Sequence, residues 1–141
     1  MIKFLDLIKQ DKKLHVPILK KINKLFKKGD FIMGKEVEIF EKNFSKFCES
    51  KYAISCANGT DALTLALKSL NLPKNSEVLI PAMTYCSTAF SVIEENLKPI
   101  LVDTEKLSST ISILDLKKKI TKKTKVILPV HLYGSAAKLK D

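Results

Sequence analysis

Three short polar stretches of this 141-residue sequence carry groups suited to binding a small anionic ligand. The first, Asn58-Gly-Thr-Asp61, follows the apolar run 52–57, which is typical of a buried strand, and precedes a helical pattern. We expect Asn58-Gly59 to supply a permissive turn and Thr60 or Asp61 to cap the helix. The first amides of a helix have no intrahelical partner and lie at the positive end of its dipole, so they favour an anion. An ordinary capped strand–helix turn explains these residues equally well.

The other two stretches also follow apolar runs. They are Pro81-Ala-Met-Thr-Tyr-Cys-Ser-Thr88 and His131-Leu-Tyr-Gly134. Ligands of open α/β sheets bind outside the carboxyl ends of the strands, so we expect the three stretches to converge on one crevice. His131 fits either a position in that cleft or a structural hydrogen bond. Thr84 and Ser87 fit either support of their loop or a plain turn.

The pattern around these stretches predicts an α/β fold. Short apolar strands alternate with helices from residue 52 onward, which indicates a parallel or mixed sheet covered on both faces. Two amphipathic helices precede them, joined by the apolar link Phe31-Ile-Met-Gly34, and Pro17 suits the first turn of the earlier one. The predicted strands are 52–57, 77–80, 99–102 and 125–130, and the predicted helices are 15–28, 35–49, 61–70, 86–95 and 113–120.

Composition narrows the class of protein. Hydrophobic residues make up 45% and charged residues 28%, which is typical of a globular chain. No apolar run is long enough to span a bilayer, and the N-terminus lacks the pattern of a signal peptide, so we expect a cytoplasmic protein without a membrane partner. Three cysteines without paired spacing, and two distant histidines, disfavour a disulfide framework and a metal site. Cys48 and Cys56 are expected to be buried as small apolar residues.

The charge of the chain does not indicate a nucleic-acid partner. All 25 basic residues behind the net charge of +10 are lysines, and arginine supplies the bidentate contacts that bases and phosphates favour. A solvated lysine-rich surface is the expected explanation. Only four glycines occur, so dinucleotide-binding, Walker and nucleophile-elbow motifs are absent from the sequence.

Several motifs occur together in the order and spacing of one known family. They are Phe31-Ile-Met-Gly34, Phe40-Glu41, Asn58-Gly-Thr-Asp-Ala-Leu63, Pro81-Ala-Met-Thr-Tyr85, Val102-Asp103 and Pro129-Val-His-Leu-Tyr-Gly134. The chain resembles, over nearly its whole length, the DegT/DnrJ/EryC1/StrS sugar aminotransferases, which use pyridoxal 5'-phosphate on the aspartate-aminotransferase (type I) fold. The resemblance implies an N-terminal helical arm and interface link over 1–34. It implies part of the mixed-sheet, cofactor-binding large domain over 35–141.

The resemblance also implies roles for individual residues. The backbone amides of Gly59 and Thr60, with the Thr60 hydroxyl, would bind the cofactor phosphate. Tyr85 would stack on the pyridine ring, although a loop aromatic packed on the sheet is the alternative. Asp103 is expected to be a turn or cap residue. The remaining matches are placed near the active site, the subunit interface or the substrate without a chemical role: Phe31, Gly34, His131 and Tyr133.

The implied reaction transfers an amino group, which in the family pattern is that of glutamate, to a nucleotide-linked keto-sugar in a homodimer. The Schiff-base lysine, the Asp beside the pyridinium nitrogen and a phosphate-binding serine belong to motifs expected downstream of Asp141. We therefore assign no catalytic residue and expect the chain alone to be inactive and poorly soluble. The alternatives are a non-catalytic truncated remnant or dimerising fragment, and a related sugar dehydratase that has histidine in place of the lysine. The sugar and the stereochemistry of amination are not encoded in these residues.

Overall fold

The apolar run at 77–81 forms the middle strand of a three-stranded parallel sheet. In this computed structural model, which describes residues 6–138, β1 (Glu77–Pro81) pairs with β2 (Lys98–Val102) and with β3 (Thr124–Ile127). The strand order is β2-β1-β3, and all five residues of β1 are buried. Continuously apolar strands of this kind occur where both faces of a parallel sheet are covered. The predicted α/β sheet is confirmed, and its described strands are all parallel.

Alternate residues of β1 enter two separate apolar clusters, because successive side chains of a strand point to opposite faces. Val78 and Ile80 pack with Leu67 of α3 (Gly59–Ser69) and Val92 of α4 (Ser87–Glu94). Leu79 belongs to the second cluster. The other buried members of that cluster are Val102, Ile111, Leu116 of α5 (Ile113–Lys119) and Ala137.

Two helices precede this sheet, as predicted, but the first has different bounds. Helix α1 (Leu7–Lys28) begins at Leu7 rather than His15, because Asp6 caps it by accepting the Lys9 amide at 3.1 Å. Pro17 consequently lies inside the helix, where it removes one intrahelical hydrogen bond, and not in the first turn. Helix α2 covers Lys35–Phe47.

The predicted strand at 52–57 is wrong. Within residues 6–138 this segment has no strand partner, and the side chains of Tyr52 and Ile54 are 70% and 85% exposed. The carboxylate of Glu41 accepts the Ser55 amide at 2.7 Å and holds the segment to α2 instead. An apolar run becomes a strand only where a neighbouring strand completes its hydrogen bonds, and none of β1, β2 and β3 does so here.

Cys48 and Cys56 are exposed, so their predicted burial is also wrong. Cys48 directly follows the last turn of α2, and Cys56 ends the unpaired extended segment. Neither position is covered by an apolar cluster.

The structure divides into two compact units, Met1–Ser55 and Cys56–Asp141. The predicted division between an arm over 1–34 and a large domain over 35–141 concerns the complete protein and stays a prediction. Its outer ends, residues 1–5 and 139–141, lie outside the described range. None of the helices in residues 6–138 combines the length and the apolarity that crossing a bilayer requires.

Replacing Leu79 by Ala is expected to lower the free energy of unfolding by about 2–5 kcal/mol, because a fully buried side chain leaves a cavity. The matched control is Leu101→Ala on β2, where the side chain is 55% exposed and the loss should stay near 1 kcal/mol or less. Urea unfolding followed by circular dichroism measures both. Equal losses for the two variants would contradict the central position of β1.

Candidate functional site

Asn58 caps helix α3, and its oxygens accept hydrogen bonds from some of the backbone amides at the start of the helix. Its Oδ1 accepts the Asp61 amide at 2.9 Å, and its carbonyl oxygen accepts the Ala62 amide at 3.1 Å. The expectation that Thr60 or Asp61 caps the helix is wrong, because the extended backbone of Asn58 (φ −161°) aims its own side chain at the first turn.

The amides of Gly59 and Thr60 remain available. In the described part of the chain neither has a recorded hydrogen-bond acceptor, and both belong to the first turn of α3. Unpaired amides at the positive end of a helix dipole form a site for an anion such as a phosphate group.

Gly59 has no conformational reason to be glycine. Its φ is outside the left-handed region, so the turn at Asn58-Gly59 does not use the conformational freedom that was expected of it. A Cβ built on Gly59 would meet no atom within 4 Å. The missing side chain therefore leaves the two unpaired amides open to an external group.

A hydrogen bond between two hydroxyls joins this turn to the loop after β1. Thr60 Oγ1 donates to Ser87 Oγ at 2.8 Å, and both side chains are partly buried. Within the loop, the hydroxyls of Thr84 and Thr88 lie 2.9 Å apart in a second hydrogen bond. Tyr85, which lies between Thr84 and Ser87 in the sequence, is 75% exposed. The structure thus brings together the first two of the three predicted stretches.

The third stretch forms its own local structure. His131 Nδ1 accepts the Ala137 amide at 3.0 Å, which is the structural role left open for this residue in the sequence. Tyr133 is 88% exposed and has a left-handed backbone (φ 53°), an uncommon conformation for a residue with a side chain. In residues 6–138, no hydrogen bond joins this stretch to either of the others. The predicted proximity of His131 and Tyr133 to the site stays a prediction.

Phe31 and Gly34 lie in the N-terminal unit. Phe31 is 62% exposed and packs edge-to-face on Phe26, with ring centroids 5.6 Å apart. A Cβ at Gly34 would overlap the carboxylate of Asp30, which accepts the Lys35 amide at 3.1 Å. Gly34 therefore has a local structural cause, and the predicted role of both residues near an active site stays a prediction.

A carboxylate fixes the backbone where β2 ends. Asp115 Oδ2 accepts the Asp103 amide at 2.8 Å and lies 2.8 Å from Lys119 Nζ, which also donates to the Leu101 carbonyl at 2.7 Å. The hydrogen bond from the Asp103 N–H has the largest effect on the pKa of the Asp115 carboxyl, and the Lys119 ammonium has the next largest. Both hold this pKa below its ordinary value of 3.8. Asp103 itself accepts the Thr104 amide at 2.8 Å, and its expected role as a turn or cap residue stays a prediction.

Sequence reasoning missed two of these groups, the Asn58 cap and the Thr60–Ser87 pair. Asn is a strong capping type, so the cap had a usable signal in the sequence. The hydroxyl pair had none, because nothing local relates Thr60 to Ser87. In the part of the chain that is described, no cluster of three or more His, Cys, Asp or Glu side chains is arranged to hold a metal ion.

Comparison with known proteins gives this site a context. The sequence profile of the DegT/DnrJ/EryC1/StrS aminotransferase family matches residues 12–141. The chain belongs to this family. A family relative, dTDP-3-amino-3,6-dideoxy-alpha-D-galactopyranose transaminase of Aneurinibacillus thermoaerophilus, is 35% identical over 100% of this chain and 39% of its own length. The chain thus spans about two fifths of the length of the curated family members it matches.

Solved members of the DegT/DnrJ/EryC1/StrS family have the same fold. S. venezuelae DesV, solved in complex with a ketimine intermediate, superposes with a TM-score of 0.90 at 34% identity, over 96% of this chain and 37% of its own. The α/β structure described above is therefore part of the type I pyridoxal phosphate fold, as the resemblance implied.

Solved family members also hold the cofactor. The ntda protein of Bacillus subtilis contains bound cofactor PMP (TM-score 0.82, 35% identity, 85% of this chain and 28% of its own). E. coli GDP-4-keto-6-deoxy-D-mannose-3-dehydratase contains bound hydrated PLP (TM-score 0.78, 31% identity, 82% of this chain and 31% of its own). The family is pyridoxal phosphate-dependent, as the resemblance implied.

The Asp115 contacts predict a specific response to acid. Because its folded-state pKa is lowered, the carboxylate stabilises the fold above pH 3.8, and this stabilisation is lost as the pH falls through the lower, folded value. Lys119→Met removes both the hydrogen bond and the charge of the Lys119 ammonium but leaves the Asp103 N–H, so the pKa of Asp115 should rise yet stay below its ordinary value. Carbon-13 NMR titration of the side-chain carboxyls measures both proteins. A pKa of 3.8 or above in the unsubstituted chain would contradict the described geometry.

Proposed function

We propose that these residues form the phosphate-binding and ring-binding part of a pyridoxal 5'-phosphate site in an aminotransferase that acts on a nucleotide-linked keto-sugar. The observation that carries the proposal is the pair of unpaired amides at Gly59 and Thr60, beside the open space at Gly59. Family membership, and relatives named as transaminases of nucleotide-linked sugars, support the substrate class.

The residues present fit the cofactor. The amides of Gly59 and Thr60 would bind the phosphate, since charge-assisted hydrogen bonds to a helix N-terminus favour this dianion. The Thr60 hydroxyl, for which the resemblance implies the same role, has its one hydrogen in the bond to Ser87 Oγ and would donate none to the phosphate in this arrangement. Tyr85 would stack on the pyridine ring, because a flat side chain with a polar edge suits a polar aromatic heterocycle. Its 75% exposure leaves a ring face free for this contact. No side chain of the described chain needs to move a proton for this binding role.

Bound pyridoxal phosphate supplies an electron-withdrawing ring and a carbon that carries an amino group from donor to acceptor. Over a full cycle glutamate loses its amino group and becomes 2-oxoglutarate, and the keto-sugar gains that group in place of its carbonyl oxygen. The residues of this chain hold the cofactor at its two ends during both halves of the cycle. We place His131, Tyr133, Phe31 and Gly34 around the substrate or the second subunit of a homodimer.

We also propose that the chain alone does not catalyse the transfer. The reaction needs a lysine that binds the cofactor covalently, and the stretches 58–61, 81–88 and 131–134 contain no lysine. The lysine and the carboxylate that pairs with the ring nitrogen are expected in a segment that follows these residues in the complete protein. A non-catalytic fragment that keeps the fold is the corresponding alternative.

A second candidate is dehydration of a nucleotide-linked keto-sugar. It is favoured by the structural likeness to the E. coli dehydratase, which is 31% identical over the matched region. Incubation of the complete protein with glutamate and the keto-sugar separates the two, because amino transfer forms 2-oxoglutarate and an amino sugar in equal amounts. Loss of a sugar hydroxyl without an amino sugar would favour the dehydratase.

Replacing Gly59 by Ala tests the phosphate site. The added Cβ meets none of the chain's own atoms, so thermal stability should be unchanged or slightly raised. The same Cβ would occupy the space proposed for the phosphate, and the affinity for pyridoxamine 5'-phosphate should fall roughly tenfold to hundredfold. Calorimetric titration measures the affinity, and Ala62→Gly, one turn into the same helix, is the control for helix stability. Unchanged affinity in Gly59→Ala would contradict the site.

Reduction with borohydride in the presence of pyridoxal phosphate tests the absence of the catalytic lysine. We expect a low, scattered modification over the 25 lysines, because none of them is proposed to face the cofactor. Peptide mapping by mass spectrometry locates the adducts. A stoichiometric adduct on a single lysine would show that the chain already contains the catalytic residue.

A further inference from the structure

The two ends of the proposed cofactor site lie on different segments of the chain. The phosphate end uses Gly59 and Thr60 in the first turn of α3, and the ring end uses Tyr85 in the loop between β1 and α4. A ligand that contacts both ends binds well only when the distance between the segments is fixed beforehand, because ordering them during binding costs affinity.

Apolar packing of Leu67 and Val92 in one buried cluster holds α3 and α4 together, and a side-chain hydrogen bond joins the ends of the two helices that face the proposed site. This hydrogen bond runs from Thr60 Oγ1 to Ser87 Oγ at 2.8 Å. Among residues 6–138, it is the one side-chain hydrogen bond between the stretches 58–61 and 81–88.

Ser87 is the first residue of α4 and follows Tyr85 by two positions. The Thr88 amide donates to the Tyr85 carbonyl at 3.0 Å, and the Thr84–Thr88 hydroxyl bond at 2.9 Å also joins the loop to this first turn. What holds Ser87 therefore also restrains the backbone of Tyr85.

A second hydrogen bond between α3 and α4 can be compared with the Thr60–Ser87 bond. Thr64, one turn further along α3, donates to Glu94 of α4 at 3.1 Å, and this second bond is exposed. Both bonds join α3 to α4, but only the Thr60–Ser87 bond lies at the ends that carry the proposed ligand contacts.

We propose that Ser87 is a positioning residue, which acts through Thr60 to set the spacing between the phosphate-binding turn and the ring-stacking tyrosine. This inference rests on the proposed function and adds to it a residue that does not touch the cofactor. A ligand with both a phosphate and an aromatic ring needs the spacing, and a ligand with only one of these groups does not.

The experiment compares three ligands on the full 141-residue chain by calorimetry and by NMR of the backbone amides. Pyridoxamine 5'-phosphate carries both groups, pyridoxamine carries the ring and inorganic phosphate the anion. The amine forms avoid the imines that an aldehyde would form with the 25 lysines. Ser87→Ala should weaken pyridoxamine 5'-phosphate roughly two- to tenfold, the effect of one hydrogen bond. Binding of the two half-ligands should stay unchanged.

Two further variants serve as controls. Thr64→Val removes the comparable bond between α3 and α4 away from the site and should leave all three affinities unchanged. Ser87→Thr keeps the hydroxyl and should restore the affinity for pyridoxamine 5'-phosphate. If Ser87→Ala loses the circular dichroism spectrum of the folded chain, Ser87→Cys tests the same bond, because a thiol is a poor hydrogen-bond acceptor, and the same pattern of losses is expected.

The outcomes separate this inference from the function on which it rests. If the unsubstituted chain binds pyridoxamine 5'-phosphate no more tightly than inorganic phosphate, the proposed cofactor site is wrong and the role of Ser87 with it. If the unsubstituted chain binds it and Ser87→Ala behaves like Thr64→Val, only the positioning role is wrong. An equal loss for inorganic phosphate would also overturn that role, because it would make Ser87 a direct ligand of the anion.

Discussion

The burial of β1 between two parallel strands is the constraint on which the second unit depends. Hydrogen bonds hold both ends of β1. At its start, the buried carboxylate of Glu77 accepts the Thr121 hydroxyl at 2.6 Å. Just after its end, the Ala82 amide donates to the Val102 carbonyl at 2.7 Å. A buried carboxylate is tolerated only when hydrogen bonds replace its water, which the threonine provides. The loop that carries Tyr85 therefore starts from a strand end that is hydrogen-bonded to β2.

The hydrogen bonds at the start of α3 determine which backbone amides of the turn 58–61 are unpaired. A helix begins with four amides that lack an intrahelical acceptor. The Asn58 side chain satisfies the amide of Asp61, and the Ala62 amide makes the first intrahelical bond to the Asn58 carbonyl. The amides of Gly59 and Thr60 have no acceptor among the described residues. A cap at Thr60 or Asp61 would have moved the start of the helix and with it the available pair. One side chain thus determines which amides of this turn stay unpaired.

Sequence reasoning predicted what depends on local pattern and missed what depends on distant partners. The run at 77–81 was predictable as a strand because a short, mostly apolar run of this length is typical of a strand buried on both faces. The run at 52–57 has a similar composition but no neighbouring strand in the described chain, and a strand cannot form alone. The Thr60–Ser87 bond joins residues far apart in sequence, so no spacing rule indicates it. The family was predictable because its motifs recur in order, and profile matching confirms it.

The strand order β2-β1-β3 has a consequence for how the chain folds as it is made. The central strand is synthesised first, and both of its neighbours come later in the sequence. The most completely buried strand therefore emerges with both edges unpaired and keeps one of them open until Thr124–Ile127 has been added. Unpaired apolar strands are where nascent chains associate wrongly. The risk of wrong association is thus greatest after β1 has been synthesised and before β3 has been added.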